Sequence, residues 1–443
     1  MSYEMQYKTM SLSLLALAFP MVAGASGFAI NENSTADLGR ANTGRVTAVS
    51  DASVAFGNPA LMVRFDKLTV SNAASYITGN ADFENRGSID VTGQSLGGDT
   101  DGFFDSAIVP ALHAVYPISG RLAAGLSINA PFGLSSTYDD GWAGRYQGLE
   151  SKLTTINVNP SLAIAINKRV SIGGGVNIQY AKAELSSAVD FGAACFANVG
   201  PANCTPLGLN PQNADGSLEV DGDDVSFGYN AGIAYSPSPD VTIGAHYRSR
   251  VRHDIKGDAD FTVPSNAQLL TANGAFTDTT GTAGLPLPAI LEAGIKWRVN
   301  DNIGLYANFL RTYWNDLEEL RIDFDNPMQP VALEELNFQN SNRYGVGTDI
   351  SFRQNWVLRA GFSFDESAAA APFRTVRIPD NDRYIYAAGI GYSGFKTWRF
   401  DAAYNRFQIK TTDFTRIGPS ADRVTGVIRS DVDVFSIGGT KTF

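Results

Sequence analysis

Charged residues, histidines and long apolar runs are all scarce in this sequence of 443 residues. Charged residues make up 18% of it, three histidines occur, and beyond Ala25 there is no run of ~18 apolar residues. The missing run excludes a membrane-spanning helix after that point. The histidines His113, His246 and His253 have no serine or carboxylate in a recognisable local motif, so we expect no catalytic residues and no enzyme.

A net positive charge is also lacking. The formal net charge is −11, and Lys and Arg form no cluster of the kind that binds phosphate backbones through counterion release. These observations exclude a nucleic-acid partner, and we expect no cofactor.

Cysteine is nearly absent. The two that occur, Cys195 and Cys204, have eight residues between them in one polar stretch. In an oxidising periplasm such a pair is expected to form a local disulfide. No histidine lies nearby, so we expect no metal site.

Residues 1–25 resemble a secretory signal peptide. Lys8 supplies a positive start, residues 14–19 an apolar segment, and residues 23–25 a small-residue cleavage site. Glu4 is unusual in such a start, which leaves Met1 and Met5 open as start codons. An uncleaved anchor is disfavoured because the apolar segment is short for a span.

What the sequence does contain is β-rich composition and regular alternation. Its 44 Gly suit turns, while its 17 Tyr and 26 Phe suit pleated surfaces. Between residues 153 and 166, Ile156 and Leu162 fall on one face and Asn157 and Asn159 on the other. A strand between lipid and a hydrated lumen requires such a pattern. A soluble sandwich would show the same period, so alternation alone leaves both folds open.

The lengths of the connections favour the membrane barrel. Short turns recur at 118–120, 167–169, 236–240, 300–302, 353–355 and 393–395. Long polar connections lie near 81–103, 190–222, 258–285, 326–341, 366–382 and 411–428. In outer-membrane barrels the short turns face the periplasm and the long loops face the exterior. We therefore predict an all-β fold, a transmembrane antiparallel β-barrel of about fourteen strands in the bacterial outer membrane.

The segments between these turns give the predicted strands. They are 67–80, 105–117, 121–133, 152–166, 170–189, 224–235, 241–257, 287–299, 303–325, 342–352, 356–365, 383–392, 397–409 and 431–443.

Residues 27–66 are too polar and too rich in small residues to form a core, and they show no sustained period. A barrel of about fourteen strands has a lumen that its own wall side chains would not fill. We therefore predict three parts: a signal peptide at 1–25, an N-terminal hatch inside the lumen at 26–66, and the barrel at 67–443.

The order and spacing of several short motifs resemble the FadL family of outer-membrane long-chain fatty acid transporters, over essentially the whole mature chain. These motifs are Gly27-Phe28, Leu38-Gly39-Arg40-Ala41, Asn58-Pro59-Ala60, Pro131-Phe132-Gly133-Leu134, Trp142-Ala143-Gly144-Arg145-Tyr146, residues 153–162, residues 175–180, Trp314, Leu320, Leu358-Arg359-Ala360-Gly361 and residues 378–384.

The resemblance implies passive diffusion of a hydrophobic substrate, gated by the hatch, with a sideways exit into the bilayer. It implies a long-chain fatty acid as cargo; aromatic hydrocarbons or other neutral hydrophobic compounds are the alternative. A monomer is expected, surrounded by outer-membrane lipid and lipopolysaccharide. Acidic runs at 99–105 and 221–224 could bind divalent ions shared with lipopolysaccharide, although solvated loops account for them more simply.

Pro131 lies inside a predicted strand, where it removes a ladder donor. A closed barrel has no edge strand, so we predict a kink with a local gap in the wall; the alternative is that the strand ends at Ala130. The resemblance places a lateral exit here, and we predict that Asn129, Pro131, Phe132 and Gly133 frame it.

A fatty acid carboxylate in an apolar cavity requires a cation or several donors. The resemblance puts a basic residue at Arg321, which we predict to face the lumen and to bind the carboxylate. A second basic position of the family aligns with Ser187, so Lys182 and Arg248 are candidate substitutes. Ordinary lumen charge, paired with acids of the hatch, is the alternative for such residues.

Two parts of the hatch are candidates for function. Gly27 and Phe28 suit the lining of an apolar pocket at a free terminus. Asn58, Pro59 and Ala60 form a turn that ends an element, either as a cap on the hatch or as a hinge for its movement.

Overall fold

The computed structural model describes residues 27–443, so the signal peptide predicted at residues 1–25 lies outside it. One antiparallel sheet closes on itself because its first strand pairs with its last, from Thr69 opposite Thr442 to Asn85 opposite Gly426. The result is a closed β-barrel of fourteen strands, which confirms the predicted fold class. Within residues 27–443, every helix is too short or too polar to cross a bilayer.

Interruptions divide the fourteen barrel strands into twenty segments. These are β1 Thr69–Asn85, β2 Ala107–Ser119, β3 Leu122–Asn129, β4 Gly133–Thr137, β5 Glu150–Ala165, β6 Val170–Asp190, β7 Asp215–Ser238, β8 Val241–Arg248, β9 Val251–Thr262, β10 Thr279–Leu287, β11 Ala289–Arg298, β12 Ile303–Tyr313, β13 Glu319–Phe324, β14 Ala332–Glu335, β15 Ser341–Ser351, β16 Trp356–Asp365, β17 Arg383–Phe395, β18 Trp398–Ile409, β19 Thr412–Ile417 and β20 Arg423–Thr442. Six of the barrel strands consist of two segments each, namely β3/β4, β8/β9, β10/β11, β12/β13, β14/β15 and β18/β19.

The alternation of β5 matches a wall between lipid and lumen. Leu162 and Ile164 expose 57% and 43% of their surfaces outward, while Asn157 and Ser161 are buried inside. Apolar side chains on the outside and polar ones inside are the arrangement that a bilayer requires.

Many strands extend further outward than the sequence predicted. β10, β14 and β19 lie entirely or largely within the predicted loops 258–285, 326–341 and 411–428. These extensions lie beyond the bilayer, in water. A strand there needs no apolar outer face, so its polar sequence resembles that of a loop. In β7, for example, Glu219 and Asp223 point outward in line with Phe227 and Tyr229.

Residues 27–66 fill the lumen. They contain two short helices, α1 (Thr35–Leu38) and α2 (Val54–Gly57), and a 3-10 helix at Pro59–Arg64. The side chain of Ser34 caps α1 by accepting a hydrogen bond from the backbone N–H of Asp37 at 3.2 Å. Most of these residues are buried against the inner wall, so the barrel supplies the core that the segment lacks.

The remaining helices lie in the outer loops, apart from one 3-10 segment, Trp314–Asp316, which interrupts the barrel strand between β12 and β13. They are α3 (Phe191–Asn198), α4 (Pro201–Cys204) and the 3-10 segments Thr205–Leu207, Ser265–Thr271, Trp314–Asp316 and Ala371–Phe373. Phe191 and Leu209 pack around the half-cystines of α3 and α4 in one small apolar cluster.

Candidate functional site

An apolar cavity lies above the hatch, in the outer half of the barrel. It encloses about 820 Å³ of empty space, part of it open to solvent. Its apolar lining consists of Phe28, Leu134, Leu153, Ala183, Leu185, Val220, Ile255, Ala283, Leu285, Leu317, Leu320, Ile322, Leu336 and Ile378. Such a space suits a hydrophobic chain far better than a hydrated solute.

Arg377 is the buried cation of this cavity. It comes from the outer loop between β16 and β17, and its guanidinium donates hydrogen bonds to the carbonyl of Glu150 (2.8 Å), the hydroxyl of Ser151 (2.9 Å) and the carbonyl of Ser186 (3.0 Å). Glu334 lies 3.5 Å from its Nε. Burial lowers the pKa of Arg377, but arginine starts so high that the side chain remains charged at neutral pH.

Three aromatic rings close the inner end of the cavity. Phe28 lies edge-on to Trp314, with centroids 4.8 Å apart, and to Phe132, with centroids 6.2 Å apart. The backbone N–H of Gly27 donates to Asp380 at 3.1 Å, which ties this end of the hatch to the loop that carries Arg377. Phe28, near the start of the described chain, therefore lines the cavity, with Gly27 next to it.

The barrel wall is irregular beside these rings, where β3 gives way to β4. Asn129 lies opposite Asn157 of β5 and Gly133 opposite Thr154, so four steps on one strand match three on the other. One extra residue therefore bulges out at Pro131. The hatch joins the bulge directly, since the N–H of Ile30 donates to the Pro131 carbonyl at 2.8 Å.

On its other side the kinked strand separates from β2. Their ladder ends at Leu112 opposite Ile128, and in the described chain the next bridge is between Phe104 and Ser136. Seven residues of each strand lie between these points. Ala107 and Ala130 border the interruption and pack in an apolar cluster with Ile30 of the hatch. The lumen side of the gap is therefore lined by apolar side chains.

Below the cavity the lumen becomes polar. Going along β5 towards the periplasm, Leu153 of the cavity wall is followed by Thr155, Asn157 and Asn159, all buried. Asn157 donates to Asn129 at 3.1 Å, which in turn donates to Asn33 of the hatch at 2.5 Å. This asparagine belt makes the straight path through the lumen unfavourable for an apolar chain.

The predicted lumen orientation of Arg321 is corrected by the structure. Its side chain is exposed on the outside of β13 and pairs with Asp323, with Nη2 2.9 Å from the carboxylate, while Ile322 faces the cavity. The reason is the change of surroundings along the strand. Above the bilayer the cavity side is apolar and the outer side meets water, so the polar face is the outer one.

The other two basic candidates also lie away from the cavity. Arg248 does face the lumen, but its guanidinium stacks on Phe56 of the hatch, with its central carbon 3.3 Å from the ring centroid, and donates to the Phe56 carbonyl at 2.9 Å. Lys182 points away from the cavity and forms an ion pair with Glu184. Arg248 therefore joins hatch to wall, through a carbonyl and a ring rather than an acid.

The turn Asn58-Pro59-Ala60 is anchored firmly to the wall. The Asn58 amide donates to the carbonyls of Val46 (2.9 Å) and Ile233 (3.1 Å), and its Oδ1 accepts from the N–H of Ala60 at 3.2 Å. A Cβ at Gly232 would collide with Asn58. These contacts are those of a fixed anchor at the periplasmic end of the hatch.

Cys195 and Cys204 form a disulfide, with Cα atoms 6.0 Å apart. Within residues 27–443, no group of three or more His, Cys, Asp or Glu side chains is arranged to hold a metal ion.

Arg377 is the functional candidate that sequence reasoning missed. A signal was present, since it directly precedes the motif 378–384 that carried the family resemblance. It lies in a predicted loop, however, and the sequence does not show that this loop folds back over the cavity.

Comparison with known proteins agrees with this architecture. The protein family described as "Outer membrane protein transport protein (OMPP1/FadL/TodX)" matches residues 16–443. A long-chain fatty acid transport protein of Escherichia coli O6:H1 is 32% identical over 404 residues, which cover 88% of this chain and 89% of that relative. A 47 kDa outer membrane protein of Pasteurella multocida is 31% identical over 414 residues, covering 92% and 93%.

Solved structures show the same barrel. The crystal structure of a Pseudomonas aeruginosa FadL homologue superposes with a TM-score of 0.85 at 26% identity, covering 94% of this chain and all of that one (100%). The toluene transporter of Ralstonia pickettii superposes with a TM-score of 0.66 at 18% identity, covering 93% and 99%, a likeness of fold alone.

Proposed function

This chain belongs to the OMPP1/FadL/TodX family of outer membrane transport proteins, and from that premise we propose that it carries long-chain fatty acids. It is an outer-membrane transporter of hydrophobic compounds and not an enzyme. We further propose that transport is passive and gated by the hatch at residues 26–66. The cargo enters the apolar cavity from outside and leaves sideways through the wall.

The observation that carries the choice of cargo is the buried guanidinium of Arg377 at a mainly apolar cavity. Ser151, Lys152 and Asp221 also line this cavity, but Lys152 is paired with Glu184 at 3.0 Å. A carboxylate enters an apolar site at acceptable cost only if a charged donor meets it. Arg377 donates to the carbonyl of Ser186, next to Ser187, the position where the family resemblance led us to expect a cation. The outer loop thus supplies a positive charge beside the place where the strand lacks one.

The gap beside Pro131 and the asparagine belt support the sideways exit. The belt opposes an apolar chain in the lumen because each displaced amide would lose its hydrogen bonds. The gap lies at the level of the cavity's inner end, with the apolar pair Ala107 and Ala130 at its border. An apolar path to the bilayer is therefore shorter and less costly than the polar path to the periplasm.

Gating requires only a small movement in this proposal. Phe28 and Phe132 lie between the cavity and the gap, and Ile30 is bonded to the kink itself. The opposite end of the hatch is anchored by Asn58. A shift of residues 27–30 would connect cavity and gap while the rest of the hatch stays in place.

A neutral hydrophobic cargo is the second candidate. It is favoured by the partners that Arg377 already has, since three acceptors and Glu334 surround the guanidinium. A carboxylate would then have to displace one of them. A neutral chain would fill the apolar lining without doing so.

Equilibrium binding to the purified protein separates the two cargoes. We expect Arg377→Gln to weaken oleate binding by about 10- to 100-fold, from the loss of a charge-assisted hydrogen bond. Binding of 1-octadecene should change little, and Arg377→Lys should fall between. Arg321→Gln, which removes an exposed arginine of the neighbouring wall, is the matched control. Equal losses for both ligands would leave the neutral cargo as the better proposal.

A further inference from the structure

The periplasmic end of the barrel carries a concentration of positive charge that the transport function does not use. The segments at this end are 64–68, 119–121, 166–169, 236–240, 298–302, 352–355, 393–397 and 441–443. They contain nine basic residues, which we call the basic rim: Arg64, Lys67, Arg121, Lys168, Arg169, Arg298, Arg353, Lys396 and Lys441. Only three acidic residues, Asp66, Asp240 and Asp301, accompany them, although the whole chain has a net charge of −11.

The positive charge of the basic rim is largely unneutralised. Within residues 27–443, Arg298 is its one member that pairs with a carboxylate, 2.7 Å from Asp240. Arg64 donates instead to the hydroxyls of Thr242 (3.2 Å) and Ser236 (2.9 Å). Eight of the nine residues are exposed, and Lys441 is half-buried. An anion outside the protein would therefore meet charges that are still available.

The same rim holds exposed aromatic side chains. Trp297, Trp398 and Phe395 expose 51%, 41% and 57% of their surfaces. The ammonium of Lys441 lies 5.3 Å from the Trp398 ring centroid and 4.6 Å from that of Phe443. Aromatic rings of this kind mark the level of lipid headgroups. The basic side chains thus lie where lipid phosphates are found.

We propose that the basic rim binds anionic phospholipid in the membrane leaflet that faces the periplasm. The spacing of the charges favours lipid over a soluble acidic protein. Nearly every short turn contributes a basic residue, so the charge encircles the barrel instead of forming one docking face. A ring of lipids surrounds a barrel in the same way, and each basic residue near such a surface adds to the attraction.

The tryptophans give a readout that is confined to this rim. Trp297, Trp356 and Trp398 lie at it, whereas Trp142 and Trp314 are 1% and 0% exposed and lie away from the rim. Full-length protein is reconstituted into phosphatidylcholine vesicles with increasing fractions of brominated phosphatidylglycerol or brominated phosphatidylcholine. Bromine quenches a tryptophan that its lipid touches, so the quenching curves compare the two lipids at the rim.

We expect brominated phosphatidylglycerol to bind at the rim about 3- to 10-fold more strongly than brominated phosphatidylcholine, and this preference to shrink in 1 M salt, where screening acts within about 3 Å. Replacing Lys168, Arg169, Arg353 and Lys396 by Gln should make the protein bind the two brominated lipids about equally. The matched control replaces Arg86, Lys256, Arg321 and Arg423, four exposed basic residues of the outer end, and should keep the preference.

Both variants are first checked for the altered electrophoretic mobility of a folded barrel in unheated samples. Equal quenching by the two lipids in the unmodified protein would overturn the proposal and leave the rim to a soluble acidic partner. Loss of the preference in the control variant would overturn it as well, since the effect would then follow net charge and not the rim.

Discussion

Deleting Pro131 should close the lateral gap. The kinked strand uses four steps between Asn129 and Gly133 where β5 uses three, so removing one residue restores equal counts. It also restores the alternation, because the inward face changes from odd-numbered residues in β3 to even-numbered ones in β4. Against β2 the shortened strand has six residues opposite seven, so its ladder can continue from the pair Leu112 and Ile128 only if the bridge of Phe104 to Ser136 shifts by one residue.

The size of the effect follows from the length of the interruption. Seven residues on each strand lie between the last regular pair and the bridge of Phe104 to Ser136. Six of these residues remain on the shortened strand, so at about 0.5–1.5 kcal/mol net for each of roughly six hydrogen bonds the closed wall gains about 3–9 kcal/mol. The lower figure alone reduces an open state by more than about 100-fold, since about 1.4 kcal/mol corresponds to a factor of ten.

The assay is uptake of labelled oleate by cells whose only such transporter is this protein. We expect uptake to fall to background in the deletion variant, while its unheated electrophoretic mobility still shows a folded barrel. Pro131→Ala is the control, because it restores a donor but keeps the extra residue, and it should retain most of the uptake. Undiminished uptake by the folded deletion variant would refute the lateral exit.

Three further predictions concern the cavity, the hatch and the outer loop. Arg377→Lys should retain more oleate binding than Arg377→Gln, as isothermal titration will show, because the charge remains although the planar donor pair is lost. Phe28→Ala should loosen the hatch end and lower the free energy of unfolding by about 3 kcal/mol or more, seen as a lower melting temperature of the detergent-solubilised protein. An unchanged melting curve would contradict the tight packing of Phe28. Replacing Cys195 and Cys204 by Ala should cost the outer loop about 2–3 kcal/mol, raising its rate of proteolysis while uptake stays near normal; an unchanged proteolysis rate would show that the bridge does not hold the loop.

The sequence predicted the barrel well because the bilayer imposes one simple pattern on each strand. Apolar residues such as Leu162 must face lipid, and short turns must alternate with long loops. The bulge at Pro131 was also predictable, since a proline within a sheet is confined to bulges, strand starts and edge strands, and a closed barrel has no edge. These rules hold wherever the surroundings of the strand stay constant.

They fail where a strand leaves the bilayer. At β13 the outer face meets water and the inner face meets the cavity, so the rule that places polar residues inside assigned Arg321 to the wrong side. In β9, which follows a break at Ser249 and Arg250, the apolar side chains also face inward and the polar ones outward. Ile255, for example, faces inward and Lys256 outward. Single-sequence periodicity does not show the height at which lipid ends.

Arg377 illustrates a second kind of failure. Its position depends on a long loop folding back over the cavity, which contacts such as that between Tyr138 and the Val376 carbonyl (2.5 Å) help to fix. Contacts between residues so far apart in the chain leave no local pattern. The sequence therefore indicated that a cation was needed without indicating which residue supplies it.

The most direct test of the proposed cargo is uptake of oleate against 1-octadecene of similar length, measured in cells that carry this protein and in matched cells that lack it. A fatty acid transporter should accelerate oleate uptake well beyond that of the neutral alkene, and unlabelled oleate should compete where the alkene does not. Equal acceleration of both, or faster uptake of the alkene, would contradict the role given to Arg377 and favour a neutral cargo.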